Sequence, residues 1–146
     1  MNIILLVTVN LLIKPFYLFG IERKVQFILG NEAYGHYYNL FNFTLILQFV
    51  NDFGLQNYTA RLISQNRSQA TTLTSSLNAL KILLTLAYFL LTLVAAFLWY
   101  GGSLDLSFIM HIAFNQMLIS LIFFLRAQIA GMGLYRTDSL LSIMDR

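Results

Sequence analysis

Two apolar stretches decide the fold: residues 82–100, ILLTLAYFLLTLVAAFLWY, and, after a short turn, residues 106–125, LSFIMHIAFNQMLISLIFFL. Neither stretch contains Lys, Arg, Asp or Glu, and each has the length of about 20 residues that a helix needs to cross a bilayer. In the whole chain 58% of the residues are hydrophobic and 10% are charged, whereas soluble domains average about 45–50% and roughly 25%. The sequence therefore predicts an all-α, polytopic membrane helix bundle.

Two further segments bring the prediction to about four transmembrane helices. Residues 34–53 are apolar but carry several amide and hydroxyl side chains, so this helix has to turn them toward protein or water. The first segment is interrupted at Lys14 and Pro15, and it is either one kinked helix or a shorter span followed by an interfacial stretch. We expect one membrane-embedded domain over residues 1–146, with spans at about 2–29 (kinked) or 2–19, 34–53, 77–100 and 106–130.

The distribution of basic residues predicts the orientation, because short loops rich in Lys and Arg stay in the cytoplasm. The polar segment at residues 56–76 carries Arg61 and Arg67 without an acid, and three arginines follow the fourth span. We therefore expect residues 56–76 to form a cytoplasmic loop or short surface helix, with both termini on the same side. Residues 1–13 lack the basic start of a signal peptide, so we expect the first segment to be retained.

Helical periodicity groups the polar residues of the spans onto shared faces. On the fourth span Ser107, His111, Asn115 and Arg126 share a face, and on the first segment Lys14 shares a face with Lys24. On the third span Thr85, Thr92 and Ala96 form a narrow stripe of small residues, which is typical of helix packing in membranes.

Each of these residues also has a structural interpretation. A Ser, His and Asn stripe is common in hydrogen-bonded seams between helices, and Arg126 can mark a helix end by reaching to the membrane surface. Arg23 and Lys24 suit interfacial anchors and cavity bases equally well. Lys14 lies in the middle of an apolar segment beside a proline, which favours a functional role for it.

Patterns of catalytic residues are missing from the sequence. The two histidines, His36 and His111, lie on different spans, and no glycine-rich phosphate loop or zinc-protease motif is present. The chain has no cysteine. Its excess of three positive charges is divided among the connections between spans, which the rule that basic loops stay in the cytoplasm explains without a nucleic-acid partner. We expect no enzyme activity, no metal, no cofactor and no nucleic-acid partner.

Several short motifs resemble, in order, those of bacterial polysaccharide and O-antigen flippases. Residues 28–35, ILGNEAYG, resemble the LG-x-E-x-YG signature between the family's first two helices, and residues 52–55, DFGL, resemble the end of its second helix. Residues 61–64, RLIS, are similar to the stretch that follows, and residues 125–146 resemble the end of the fourth helix and the start of the next. The opening at residues 10–17, NLLIKPFY, is similar to a variant in Bacteroidetes members. The chain thus resembles the Wzx-like branch of the multidrug/oligosaccharidyl-lipid/polysaccharide exporter superfamily.

This resemblance implies a flippase that moves lipid-linked oligosaccharide across the bacterial cytoplasmic membrane by alternating access. Such exporters have two lobes of about six helices, so this chain would supply part of the N-terminal lobe. Its partners would be the lipid-linked oligosaccharide, membrane lipids and the missing C-terminal helices, without which we expect the fragment to be inactive. The candidate residues for the cavity that holds pyrophosphate and sugar are Lys14, Arg23, Lys24, Asn115 and Arg126.

Two other functions remain open at this point. A drug/cation antiporter fragment of the same superfamily would need an inward-facing acid, and Asp52 is the candidate beside a span. A small non-transporting membrane scaffold would hold a partner through the Thr85, Thr92 and Ala96 stripe and would be stable without further helices.

Overall fold

The computed structural model describes residues 11–101 and 106–144, and all regular secondary structure within these ranges is helical. This confirms the all-helical class. After helical residues 11–16 the elements are a π-helical turn at Tyr17–Glu22, α1 (Arg23–Asp52), α2 (Leu55–Gln65), a 3-10 turn at Arg67–Gln69, α3 (Ala70–Tyr100), α4 (Leu106–Gly131) and α5 (Tyr135–Met144).

Two of these helical stretches are long and apolar enough to cross a membrane. They are Arg67–Tyr100 and Leu106–Gly131, which contain windows of 18 residues with mean hydropathies of 2.4 and 2.0. Only 22% and 33% of these windows are buried within the protein, so most of their residues face outward. Residues 34–53 are helical but less apolar, and the predicted first span falls partly on residues 1–10, outside the described residues.

The chain divides into two compact units, and the first comprises, among the described residues, 11–39 and 134–144. Its backbone is helical on both sides of Pro15 and continues through the π-helical turn into α1. The break falls at Gly30, whose φ of 78° and ψ of 162° favour glycine over residues with a Cβ. Among the described residues, the helix therefore continues from Leu11 to Leu29, and the non-helical conformation falls at Gly30, after the predicted first segment.

The second unit, Leu40–Gly133, contains the end of α1 with α2, α3 and α4. Its core has two apolar clusters, and α2 packs tightly against the end of α4. A methyl group added at Gly131 would lie 2.9 Å from the carbonyl oxygen of Ala60 and 3.0 Å from Cβ of Ile63. The buried members of the clusters are Leu40, Ala96, Ile109 and Ile112 in one, and Leu55, Ile63, Leu77 and Phe124 in the other.

Most of the segment 56–76 is helical, so the surface-helix alternative describes it better than a loop. Helix α2 buries Leu55, Thr59 and Ile63, which recur every fourth residue and form one face. The helix begins after Phe53 and Gly54, whose φ values of 45° and 77° end α1. The carboxylate of Asp52 accepts a hydrogen bond from the backbone N–H of Gln56 at 3.3 Å, which satisfies one amide of the first turn of α2.

Candidate functional site

Helix α3 buries a single stripe of side chains, which we call the α3 stripe. The residues predicted as a packing seam, Thr85, Thr92 and Ala96, all lie in it. The stripe also contains a tyrosine and, one turn before Thr85, a lysine. Its members are Lys81, Thr85, Tyr88, Thr92 and Ala96.

Lys81 is the charged member of the α3 stripe and is 1% exposed. Its ammonium group donates hydrogen bonds to the backbone oxygen of Asn51 at 2.8 Å, to Oδ1 of Asn51 at 3.1 Å and to Oγ of Ser120 at 2.6 Å. Because an ammonium group has three N–H donors and no acceptor, three oxygen atoms satisfy it completely. The ring of Phe124 lies 5.9 Å from Nζ and adds a cation–π contact.

The end of α1 explains why Asn51 can supply two of these oxygen atoms. Asn51 lies in the last turn of α1. Carbonyl groups in the last turn of a helix have no N–H group further along the helix to donate a hydrogen bond to them. The hydroxyl of Thr85 donates to Oδ1 of Asn51 at 3.0 Å and keeps this oxygen on the side of Lys81. The polar cluster, as we call Asn51, Lys81, Thr85 and Ser120, thereby joins α1, α3 and α4.

Three buried polar atoms in the described part of the second unit, one of them in the polar cluster, have no hydrogen-bond partner. Among the described residues, Nδ2 of Asn51, Nε2 of Gln116 and Oγ1 of Thr59 are buried and make no hydrogen bond. Gln116 precedes Ser120 by one helical turn on the buried face of α4. A buried donor without an acceptor costs roughly 1–3 kcal/mol, so these groups mark the part of the second unit where polarity is least compensated.

An open cleft of about 620 Å³ lies in the first unit and contains two of the predicted cavity residues. Arg23 and Lys24 both line it, together with two amide side chains and three apolar ones. We call it the basic cleft. Its lining residues are Phe19, Arg23, Lys24, Gln26, Phe27, Ile28 and Asn31.

A hydrogen bond across the break at Gly30 supports the basic cleft. The hydroxyl of Tyr34 donates to Oε1 of Glu22 at 2.8 Å, and Tyr34 stacks on Tyr38 with ring centroids 6.0 Å apart. Glu22 is the last residue of the π-helical turn and directly precedes Arg23, so this contact links that turn to the part of α1 beyond Gly30. Adjacent cationic side chains and amides in one concavity can bind an anion that also carries hydroxyl groups.

The five predicted cavity residues are divided between the two units, with Lys14, Arg23 and Lys24 in the first and Asn115 and Arg126 in the second. Lys14 is exposed in the first unit and does not line the basic cleft. Asn115 is exposed on α4, whereas Arg126 is partly buried with its guanidinium 5.8 Å from the ring of Phe123. The predicted stripe that contains Asn115 faces outward, because α2 and α3 pack against a different side of α4, whose buried polar residues are Gln116, Ser120 and Gln128.

The burial of Lys81 is not predicted from the sequence, because a lysine at the start of the third span is typical of the cytoplasmic side. One signal was present: Lys81 precedes Thr85 by four residues and so shares the face of the predicted packing stripe. The partners Asn51 and Ser120 had no such signal. They lie 30 and 39 residues away in the chain and meet Lys81 only through tertiary packing.

Among the described residues, no group of three or more His, Asp or Glu side chains could hold a metal ion. The fold and these sites define an all-helical protein with two helices of membrane length, a buried polar cluster and an open basic cleft. Comparison with protein-family models, curated proteins and solved structures finds no match to this chain. The resemblance to flippases therefore stays a prediction made from its motifs.

Proposed function

We propose that this chain is part of the N-terminal lobe of a flippase for lipid-linked oligosaccharide in the bacterial cytoplasmic membrane. The observation that carries the proposal is the basic cleft, where Arg23 and Lys24 share one concave surface with the amides of Gln26 and Asn31. The motifs that resemble flippases support it independently of the cleft, and so do the two apolar helices.

The chemistry of the basic cleft suits the head of a lipid-linked oligosaccharide. A pyrophosphate that approaches a low-dielectric region needs compensating positive charge, which a guanidinium and an ammonium group supply together. The amides of Gln26 and Asn31 offer donors and acceptors for sugar hydroxyls, and Phe19 and Phe27 offer apolar surface. In this proposal the cleft faces the cavity of the complete transporter, and alternating access carries the head group to the other leaflet.

Binding of a polyprenyl pyrophosphate by the full chain in detergent tests this proposal. We expect the double variant Arg23→Gln/Lys24→Gln to weaken binding at least about tenfold, because two charge-assisted contacts are worth more than about 1.4 kcal/mol together. Neutral polyprenol, which lacks the pyrophosphate, should bind both proteins equally weakly.

The matched control is Arg61→Gln, which removes an exposed base from α2, outside the basic cleft. We expect its affinity for polyprenyl pyrophosphate to stay within about twofold of the unchanged protein, since an exposed charge that makes no contact with the ligand is largely screened. Equal losses in both variants would show that net charge, and not the cleft, attracts the lipid. Undiminished binding by the double variant would reject the cleft as the head-group site.

A further inference from the structure

The buried ammonium group of Lys81 lies in a small cage of oxygen atoms that come from different helices. The two oxygen atoms of Asn51 belong to the end of α1, and the hydroxyl of Ser120 belongs to α4. All three lie between 2.6 and 3.1 Å from Nζ, which is the distance range of direct N–H···O bonds. The cage therefore has the composition of a binding site for a small cation.

We propose that the oxygen atoms of Asn51 and Ser120 form a binding site for a primary ammonium ion, which the chain fills with its own Lys81. The side chain acts as a tethered ligand that connects α1 to α3 and α4. This inference goes beyond the proposed flippase function and does not depend on it, because none of these residues lines the basic cleft.

The geometry favours a primary ammonium ion over other cations of one positive charge. The three N–H groups of a primary ammonium ion match the three oxygen atoms of the cage. The hydroxyl of Thr85 also donates to one of these oxygen atoms, Oδ1 of Asn51. A quaternary ammonium ion has the same charge but no N–H group, and an alcohol has one donor without the charge. Neither can replace the three hydrogen bonds.

Protonation of Lys81 is part of the same arrangement. A neutral amine keeps two N–H donors and presents a lone pair, which would face the lone pair of one cage oxygen. The ammonium form of Lys81 therefore satisfies all three oxygen atoms of the cage, one N–H group for each.

The test uses the full chain with Lys81→Ala, which deletes three carbon atoms and the ammonium nitrogen, a fragment equivalent to n-propylammonium. We expect n-propylammonium to raise the Tm of this variant by at least about 3 °C, with a dependence on concentration that saturates. Tetramethylammonium and n-propanol should give no saturating rise. The unchanged protein, whose cage is filled, should not respond to n-propylammonium.

The variant Lys81→Met is the matched control, because its side chain fills the space of the lysine stem without the charge. If n-propylammonium raised the Tm of Lys81→Met or of the unchanged protein as much as that of Lys81→Ala, the ammonium site would be rejected. If Lys81→Ala failed to fold, a double-mutant cycle of Lys81→Met and Ser120→Ala would decide. We expect Ser120→Ala to lower the Tm of the unchanged protein and to leave that of Lys81→Met unchanged, and equal losses in both backgrounds would overturn the proposal.

Discussion

At the scale of single residues, the buried interior of the second unit contains both apolar side chains and a charged one. Lys81 is as deeply buried as Tyr88 and Ile109, yet each of its three donors has an oxygen partner. A buried charge is tolerated when its hydrogen bonds are complete, and it becomes costly when one partner is removed. The polar cluster is therefore the place where a small substitution has a large effect.

Replacing Ser120 by Ala tests this sensitivity. The change removes the shortest of the three bonds to Lys81 and leaves one ammonium proton without an acceptor, so we expect a loss of about 1.5–3 kcal/mol in the free energy of unfolding. The control is Ser64→Ala, whose hydroxyl is exposed and donates to a carbonyl within its own helix, and it should change stability by less than about 0.5 kcal/mol. Denaturant unfolding of the purified chain in detergent measures both, and equal effects would contradict this account of Lys81.

At the scale of the helices, backbone breaks and close approaches decide the arrangement. Phe53 and Gly54 end α1 in left-handed conformations, which releases the Asn51 carbonyl and starts α2 in a new direction. In the middle of α2, the backbone of Ala60 approaches Gly131 of α4 so closely that a Cβ at Gly131 would lie 2.9 Å from the Ala60 carbonyl oxygen. A glycine at a helix contact lets the two backbones come close together, and the closer approach brings more atoms of both helices within range of dispersion attraction.

The substitution Gly131→Ala should therefore disrupt the contact between α2 and α4. The added methyl group would meet Ala60 and Ile63 at 2.9–3.0 Å, so we expect a destabilisation of about 1–3 kcal/mol. The same substitution at Gly35, a helical position with nothing within 4 Å, should be neutral or stabilising by up to about 1 kcal/mol. Thermal unfolding of the two variants measures the difference, and a stable Gly131→Ala would show that the helices separate at little cost.

At the scale of the whole molecule, the sequence predicts about four membrane spans with the termini in the cytoplasm. Within the described residues, two helices have the length and hydropathy to cross a membrane. The distribution of Arg61 and Arg67 predicts that the segment before α3 lies on the cytoplasmic side.

Labelling of single cysteines can measure this topology directly, since the chain has no cysteine of its own. We expect Ser64→Cys, in α2, to react with a membrane-impermeant maleimide only after the cytoplasmic side is opened. Ser103→Cys, in the turn between the two apolar stretches, should react in intact spheroplasts. Labelling of both positions from the same side would reject the predicted orientation.

Local patterns determined the helical class and the position of the two apolar helices. Hydropathy and helical periodicity are properties of consecutive residues, so they can be read without knowing what packs against what. The same periodicity correctly grouped Thr85, Thr92 and Ala96 on one face of α3, all of which are buried. The motifs at residues 28–35 and 52–55 contain Gly30 and Gly54, whose positive φ values interrupt the helices. The resemblance that defines these motifs does not depend on backbone geometry.

Tertiary structure decided which face of each helix is buried and which residues meet. Periodicity shows that a helix has a polar face but not where its neighbours lie. Asn115, a predicted cavity residue, is exposed, whereas Gln116, Ser120 and Gln128 are the buried polar residues of α4. The oxygen cage of Lys81 draws on residues 30 and 39 positions away, and no local pattern encodes such a meeting. The sequence by itself determined helices and hydropathy, because these depend on neighbours in the chain, and tertiary packing alone determined the polar cluster, because it depends on neighbours in space.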